Sequence, residues 1–392
     1  MPMIKIGLLC EGKNPPDSRV ALTPAQCKWL QKTFREVQVV VQPSVSRCYS
    51  DKEYQSAGVT VQNDLSSCDY LFGIKEVPAA ELIENKTYLF FSHTKKLQPY
   101  NQELFKAVLA KKIRLIDYEC LFGFFAGVVG AHNGIMAYGK RTGLFNLNRV
   151  YKQRSFRELI HTYFGLKLPP IKIVVTGSGR VAHGILEIMN LMGVHEVEPS
   201  DYLKREYTYP VYTHLKGADL FKSKTTGMYD REEFHAHHDR YECRFTPYTY
   251  VTDILMNGIY WEEGMQRLFE KEDVSDPRFR IVTIADISDD ANGSVPINLG
   301  DQSIADPVYG VDRVTLAKTA PYLSGSIDVM AVGNLPNELP RDASRYFGEQ
   351  LIKYILEDLF KGGSSVIEKA TLTQDGKLSV LEIYCCKSRF RR

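Results

Sequence analysis

The sequence predicts an α/β protein of two domains, each built on a mostly parallel sheet, with a cleft between them. Three observations carry this. The chain has 392 residues, more than one ordinary hydrophobic core organises, so two domains are expected. Strand-length apolar runs alternate with helical patterns through the first third and again after residue 171, which is the signature of parallel strands covered by helices on both faces. A glycine-rich turn lies between an apolar strand and an amphipathic helix at 171–192, the local arrangement of a Rossmann-like, dinucleotide-binding unit.

Taken in order, residues 4–9 read as a first strand, followed by a helix over 24–36 with Thr23 as N-cap and Pro24 in its first turn. Further β-branched or aromatic runs at 37–41, 70–74, 88–92 and 113–117 have strand length. Between the last two, Leu104, Phe105, Val108 and Leu109 share one helical face. A long apolar stretch at 122–138 carries Gly123, Gly127, Gly130 and Gly134, spaced to line one stripe where another backbone can approach. It is expected to be the helix that leaves the first domain for the second. Strand 171–176 opens the second alternating unit, and 251–255 and 280–285 resume its sheet. The polar stretch 199–249 is too long for a structureless loop and is expected to hold small elements of its own. A final helix over 342–360 places Phe347, Leu351, Ile355 and Leu359 on one face and is expected to return to the first domain. The expected division is therefore 1–135, completed by 325–392, as the substrate-side domain, and 136–324 as the dinucleotide domain.

Composition narrows the function classes. The net charge is +2, from 49 basic and 47 acidic side chains, and no dense basic run provides the footprint of a nucleic-acid binder. No segment reaches the roughly 18 apolar residues that cross a bilayer, and the apolar start is too short for a signal peptide. Eight cysteines stand without metal or redox spacing, which fits free thiols in a reducing cytosol. His235-Ala236-His237-His238 lies among charged residues and lacks a partner at ligand spacing, so it reads as a solvated helix face. A soluble, cytoplasmic enzyme of small molecules is expected, with its oligomeric state left open.

Gly177-Ser178-Gly179-Arg180-Val181-Ala182 fits G-x-G-x-x-[G/A]. Gly177 permits the tight turn, Gly179 lets backbone approach the phosphates, and Ala182 lets helix and strand pack closely. The helix that follows presents unpaired N–H groups to an anion. About 20 residues on, Glu198 and Asp201 are the candidates for the ribose hydroxyls, which would favour NAD. Lys204 and Arg205 just beyond suit the extra phosphate of NADP, so the cofactor is read as NAD or NADP.

Polar residues stand where strands end. Lys75 follows 70–74, His93 follows 88–92, and Asp117 with Glu119 closes 113–117. In a parallel sheet the carboxyl ends of strands are where ligands bind, so Lys75 and His93 are candidates to share proton transfer. Arg19, just before Val20-Ala21-Leu22-Thr23-Pro24, suits a substrate carboxylate, which its fork can bind bidentately.

These residues resemble a known family. Gly73-Ile74-Lys75-Glu76, Phe91-Ser92-His93-Thr94, Ile113-Arg114-Leu115-Ile116-Asp117-Tyr118-Glu119 and Asn257-Gly258-Ile259-Tyr260-Trp261-Glu262 are similar to segments of lysine-forming saccharopine dehydrogenase. So are Asp286-Ile287-Ser288, Gly293-Ser294 and Leu335-Pro336-Asn337-Glu338-Leu339-Pro340. The likeness runs over about residues 4 to 350. It extends to the lysine–2-oxoglutarate reductase half of the bifunctional lysine-degrading enzyme, within the alanine dehydrogenase and transhydrogenase superfamily. It implies Lys75 and His93 as the acid–base pair, Arg19 as a substrate-carboxylate arginine and Asp117 beside the substrate. Glu119 and Glu76 would tune the lysine, and Asn257 and Asp286 would line the nicotinamide. The implied substrates are saccharopine, L-lysine and 2-oxoglutarate. One departure is clear: the relatives carry an aspartate where this chain has Gly333. An alanine-dehydrogenase-like reaction, or a cofactor-binding regulator without catalysis, remain the alternatives.

Overall fold

The computed structural model describes residues 3–14, 16–93, 101–118 and 123–379. The chain divides into two compact units, one of residues 1–122 and 340–392, the other of residues 123–339.

In the first unit, β1 (Ile4–Leu8), α1 (Pro24–Thr33), β2 (Val37–Val41), α2 (Asp51–Ser56), β3 (Thr60–Val61), β4 (Tyr70–Phe72), β5 (Thr87–Phe90), α3 (Gln102–Ala110) and β6 (Arg114–Asp117) follow in chain order. Six strands lie parallel in the order β3-β2-β1-β4-β5-β6. The period of two along each strand divides the apolar side chains between two cores. Phe72, Leu89 and Ile116 enter the core shared with α1, while Leu71, Phe90 and Leu115 enter the one shared with α3. α1 begins as its sequence requires: Thr23 accepts from the Gln26 N–H, and the Gln26 side chain accepts from the Thr23 N–H.

The second unit begins with α4 (Phe124–Thr142) and α5 (Phe156–His161), then β7 (Lys172–Thr176), α6 (Arg180–Leu191), β8 (His195–Glu196), α7 (Pro199–Lys204) and β9 (Val211–Leu215). After these come β10 (Phe221–Ser223), α8 (Arg231–Ala236), β11 (Tyr241–Cys243), α9 (Thr246–Thr249), β12 (Ile254–Asn257), β13 (Thr283–Asp286), β14 (Val308–Asp312), β15 (Lys318–Thr319) and β16 (Ser326–Met330). Its parallel strands run β8-β9-β7-β12-β13-β16, with β14 and β15 antiparallel beyond β16. The stretch 199–249 supplies β9, which pairs directly with β7, and a β10–β11 hairpin. Tyr202, Phe221, Phe234, Tyr241 and Phe245 from this stretch lie in the core.

The unit boundaries fall at 122/123 and 339/340, where the sequence reading set 135/136 and 324/325, because α4 and β16 pack within the second unit. A Cβ on Gly127 would stand 2.0 Å from Val181 O of α6, and one on Gly184 of α6 would stand 2.0 Å from Phe124 O. The two helices meet backbone against backbone. Gly130 faces Ile287, and Gly134 faces Ala285 of β13. The glycine stripe thus serves a close approach, but to a helix and a strand of the same unit.

The chain then adds α10 (Pro340–Leu351), a π-helical turn (Ile352–Leu356), α11 (Glu357–Phe360), α12 (Ser365–Ala370), β17 (Thr371–Gln374) and β18 (Lys377–Leu378) to the first unit. β17 extends the first sheet antiparallel to β6. Residues four apart drift by about 40° per step on an ideal α-helix. The wider π turn slows that rotation, and Phe347, Leu351, Ile355 and Leu359 all stay in the core. No described helix is long and apolar enough to cross a membrane.

Candidate active site and dinucleotide loop

In the first unit three neighbouring strands, β1, β4 and β5, end in similar fashion. Glu11, Lys75 and His93 each stand three residues past the last residue of their strand. Lys75 Nζ lies 3.3 Å from His93 Nε2, so strand-end placement brings this pair together. Glu76 lies beside them, its carboxylate 3.9 Å from His93 Nε2 and 3.1 Å from Lys13 Nζ. Burial and the nearby Arg19 cation hold the Lys75 ammonium below its usual range, against the opposing pull of Asp17 and Glu76. Burial alone would raise Glu76, but His93, a backbone N–H, Lys13 and Lys75 together hold it low and ionised. His93 sits at φ 50°, a left-handed backbone that only a minority of residues other than glycine adopt.

The geometry narrows one expectation here and moves another. The Nε–Nη2 edge of Arg19 is occupied by Asp17, with Nε donating at 2.9 Å and Nη2 at 2.7 Å. The side-on fork is therefore filled from within the chain, and only the Nη1–Nη2 edge is left for a carboxylate. Asp17 is held below the usual carboxylate range because this pairing with Arg19 overcomes its burial. Asp117, expected beside the substrate, is fully buried and accepts hydrogen bonds from Ser92 Oγ and Ser92 N. Ending β6 with its side chain inside the sheet, it anchors the residue before His93. Glu119 lies outside the described residues.

Glu11 escaped the sequence reading. Its Oε1 accepts from the Ile74 N–H at 2.6 Å and its Oε2 from the Lys75 N–H at 2.9 Å. Burial pushes this carboxyl up to about 7, Asp17 adds to that, and the two amides with Arg19 oppose it. The available signal was position: a charged residue just past an apolar strand.

In the second unit, β7 leads into Gly177, Ser178 and Gly179, and α6 begins at Arg180. Gly177 has φ 107°, and a Cβ there would stand 2.5 Å from Gly258 O, so the turn admits only glycine. Nothing lies within 4 Å of a Cβ placed on Gly179, and α6 has no side-chain cap. Ser178, Gly179 and Arg180 are exposed and Val181 is half-buried. The first N–H groups of α6 have no side-chain acceptor, and the exposed backbone of Ser178–Arg180 leaves a cradle that fits a pyrophosphate. His214 Nε2 holds Gly177 O at 2.6 Å from β9.

Register places Thr176, Asn257 and Asp286 side by side at the carboxyl ends of β7, β12 and β13. Asn257 Oδ1 accepts from Thr176 Oγ1, and its Nδ2, with two hydrogens to give, lies within 2.8 Å of Asp286 Oδ1, Ser288 Oγ and Ser294 Oγ. Burial pushes Asp286 up to about 6 although Asn298, Asn257 and Ser288 donate to it. Asp289 is pushed up to about 8 by burial and by Asp286 and Asp301. A Cβ on Gly333 would lie 3.0 Å from Asp289 Oδ2 and 3.5 Å from Asp301 Oδ2, so two carboxylates already crowd that position.

The ribose expectation is also corrected. The strand beside β7 is β9, whereas β8 is the sheet edge and pairs only with the start of β9. Glu198, following β8, is exposed and lies short of the carboxyl end of the sheet, and Asp201 of α7 pairs at 3.4 Å with Arg205 just past that helix. The residue that leaves β9 at the level of the glycine turn is Lys216, which is exposed.

Residues 7–125 match the family profile described as alanine dehydrogenase/PNT, N-terminal domain. Over 97% of its length the chain is 30% identical to the mitochondrial alpha-aminoadipic semialdehyde synthase of Mus musculus, covering 47% of that protein. The chain thus spans about half the length of the synthases it matches. It is 26% identical over 90% of its length to the saccharopine dehydrogenase [NAD(+), L-lysine-forming] of Emericella nidulans, covering 92% of that enzyme. Among solved structures, an L-alanine dehydrogenase superposes over 98% of this chain and 99% of its own with a TM-score of 0.63 at 16% identity, a likeness of fold.

Proposed function

We propose that this chain, whose residues 7–125 belong to the alanine dehydrogenase/PNT N-terminal domain family, interconverts saccharopine with L-lysine and 2-oxoglutarate. The class, an oxidoreductase of a CH–NH bond with a nicotinamide cofactor, is that of the dehydrogenases it matches. The substrate pair is the finer step: the Lys75–His93 contact at 3.3 Å supports the acid–base chemistry it needs, and the likeness to a lysine-forming saccharopine dehydrogenase supports the choice of substrates.

Joining the lysine side-chain amine to a 2-oxo acid needs a base and then an acid. The substrate ammonium must lose a proton before it attacks the carbonyl, and Lys75, with its ammonium destabilised, is suited to take it. The carbinolamine must then expel water, which requires a proton at its hydroxyl, and His93 within reach of Lys75 can deliver it. The Nη1–Nη2 edge of Arg19, steadied by Asp17, suits one substrate carboxylate. Gly177–Arg180 and the α6 N-terminus would hold the cofactor pyrophosphate, with Asn257 and Asp286 toward the nicotinamide. When bound, the cofactor supplies or accepts the hydride. The half-exposed thiols of Cys10, Cys48 and Cys243 fit a reducing compartment such as the cytosol.

The test follows reduced-cofactor absorbance with lysine plus 2-oxoglutarate, using NADH and NADPH in turn. Turnover with that pair and none with ammonia plus pyruvate is the expected result. The reverse outcome would move the chain to an alanine-dehydrogenase-like reaction.

A further inference from the structure

We infer that Glu11 is a positioning residue for Lys75: its ionised carboxylate clamps the turn after β4 and so decides whether Lys75 meets His93. The inference rests on reading that pair as the acid–base pair. The geometry is a two-point clamp. One carboxylate accepts from two consecutive backbone N–H groups, those of Ile74 and Lys75, at 2.6 and 2.9 Å. Such a bridge fixes the backbone dihedrals between the two amides and with them the direction of the Lys75 side chain. Gly73 sits directly under the clamp, where a Cβ would be 3.7 Å from Glu11 Oε1. The three strands that deliver Glu11, Lys75 and His93 are adjacent in one sheet, so the clamp and the pair belong to one rigid edge.

The clamp works in one protonation state. An ionised carboxylate has acceptor capacity on both oxygens, whereas the neutral acid turns one oxygen into a hydroxyl donor. One of the two amides then donates to a hydroxyl oxygen, a weaker acceptor than a carboxylate oxygen. Burial brings this change to about pH 7. Among the described residues, the groups that face Glu11 are Asp17 and Arg19 on its own segment, Lys75 on the turn, and Tyr118 after β6, whose phenol feels the Glu11 charge. Lys13, Glu76 and His93 lie one step further, coupled to one another and to Lys75. Above pH 7 the turn is held; below it the clamp weakens on one side.

Two measurements on the full chain separate this from the substrate assignment. The first is amide exchange at Ile74 and Lys75, read by fragmentation mass spectrometry and corrected for intrinsic rates. Protection should fall as pH drops from 8 to 6 in the wild type. In Glu11→Gln it should be low and flat, while amides of β12 stay unchanged. The second is the pH profile of kcat. Glu11→Gln should lower kcat about 10- to 100-fold, the scale of a misplaced catalytic group, and remove an acidic limb near pH 7 without changing cofactor KM. Glu11→Asp, which keeps the charge on a shorter arm, should retain a pH-dependent protection of smaller size and serves if Glu11→Gln does not fold. If lysine and 2-oxoglutarate give no turnover, the exchange arm alone decides the clamp. Equal exchange in wild type and variants at both pH values overturns it. Altered exchange with an unchanged acidic limb overturns the positioning role.

Discussion

The two sheets each grow both ways from their first strand and use the place just past it differently. β1 lies between β2 and β4, and β7 lies between β9 and β12; each is the strand from which the sheet grows both ways. Past β7 the chain turns at once through Gly177–Gly179 into an uncapped helix. Past β1 it runs through Glu11, Lys13, Asp17 and Arg19 before reaching α1, whose end Thr23 and Gln26 close by their reciprocal hydrogen bonds. In one unit the helix end has no side-chain cap. In the other it is satisfied internally, and charged side chains follow the strand. On the proposed function, binding by backbone and proton transfer by side chains would be two uses of one topological position.

Several experiments sharpen or break this contrast. The largest effect is expected at the side-chain end. Lys75→Met should lower kcat by about 10²- to 10⁴-fold while calorimetry finds cofactor binding intact. Adding His93→Gln should cost less than the product of the two single losses, because groups acting as a unit are not additive. Gly179→Val should do the opposite. A side chain there meets nothing in the protein, so the fold should survive while cofactor affinity falls by at least about tenfold, or ~1.4 kcal/mol. Unchanged affinity in the folded variant would remove the loop from the cofactor site.

Lys216→Glu comes next. A basic residue at the end of β9 suits an extra ribose phosphate, so the NADPH-to-NADH ratio of kcat/KM should shift toward NADH by about tenfold, roughly the 1.4 kcal/mol of one charged contact. Thr23→Ala at the closed helix end should cost about 1 kcal/mol of stability in denaturant titration and leave cofactor affinity unchanged.

The smallest signal is a pH slope common to both units. Glu11 and Asp289 have folded-state pKa values above their unfolded ones, about 7 and about 8. The folded state therefore binds more protons than the unfolded state at mildly acidic pH. The stability this contributes is fully present below the unfolded pKa and is lost as pH rises through 7 for Glu11 and 8 for Asp289. The Tm should decline between pH 6 and 9. Glu11→Gln and Asp289→Asn should each flatten its own part of that decline.

What the sequence disclosed was mostly local. Strand β7, its glycine turn and α6 are contiguous, so spacing alone located the loop. Lys75 and His93 were legible because each follows a short apolar run. Glu11 was not, since its partners are backbone amides 63 and 64 residues away and no residue pattern announces a backbone clamp. Glu198 and Asp201 were read from chain distance, but the strand beside β7 is β9, hidden in a stretch whose polar residues masked its five-residue run. Asp117 read as a residue beside the substrate because it ends a strand, and only the pairing of β5 with β6 puts it against Ser92.

The seam between α4 and α6 has a thermal consequence. Side-chain contacts can repack as temperature rises, but at Gly127 and Gly184 the helices touch through their backbones, with no atoms to rearrange. The helix that follows the glycine turn therefore has no intermediate, loosened seat. On the proposed function, cofactor binding should be lost within the melting transition of that unit and not in a separate step below it, so that heat inactivation tracks unfolding.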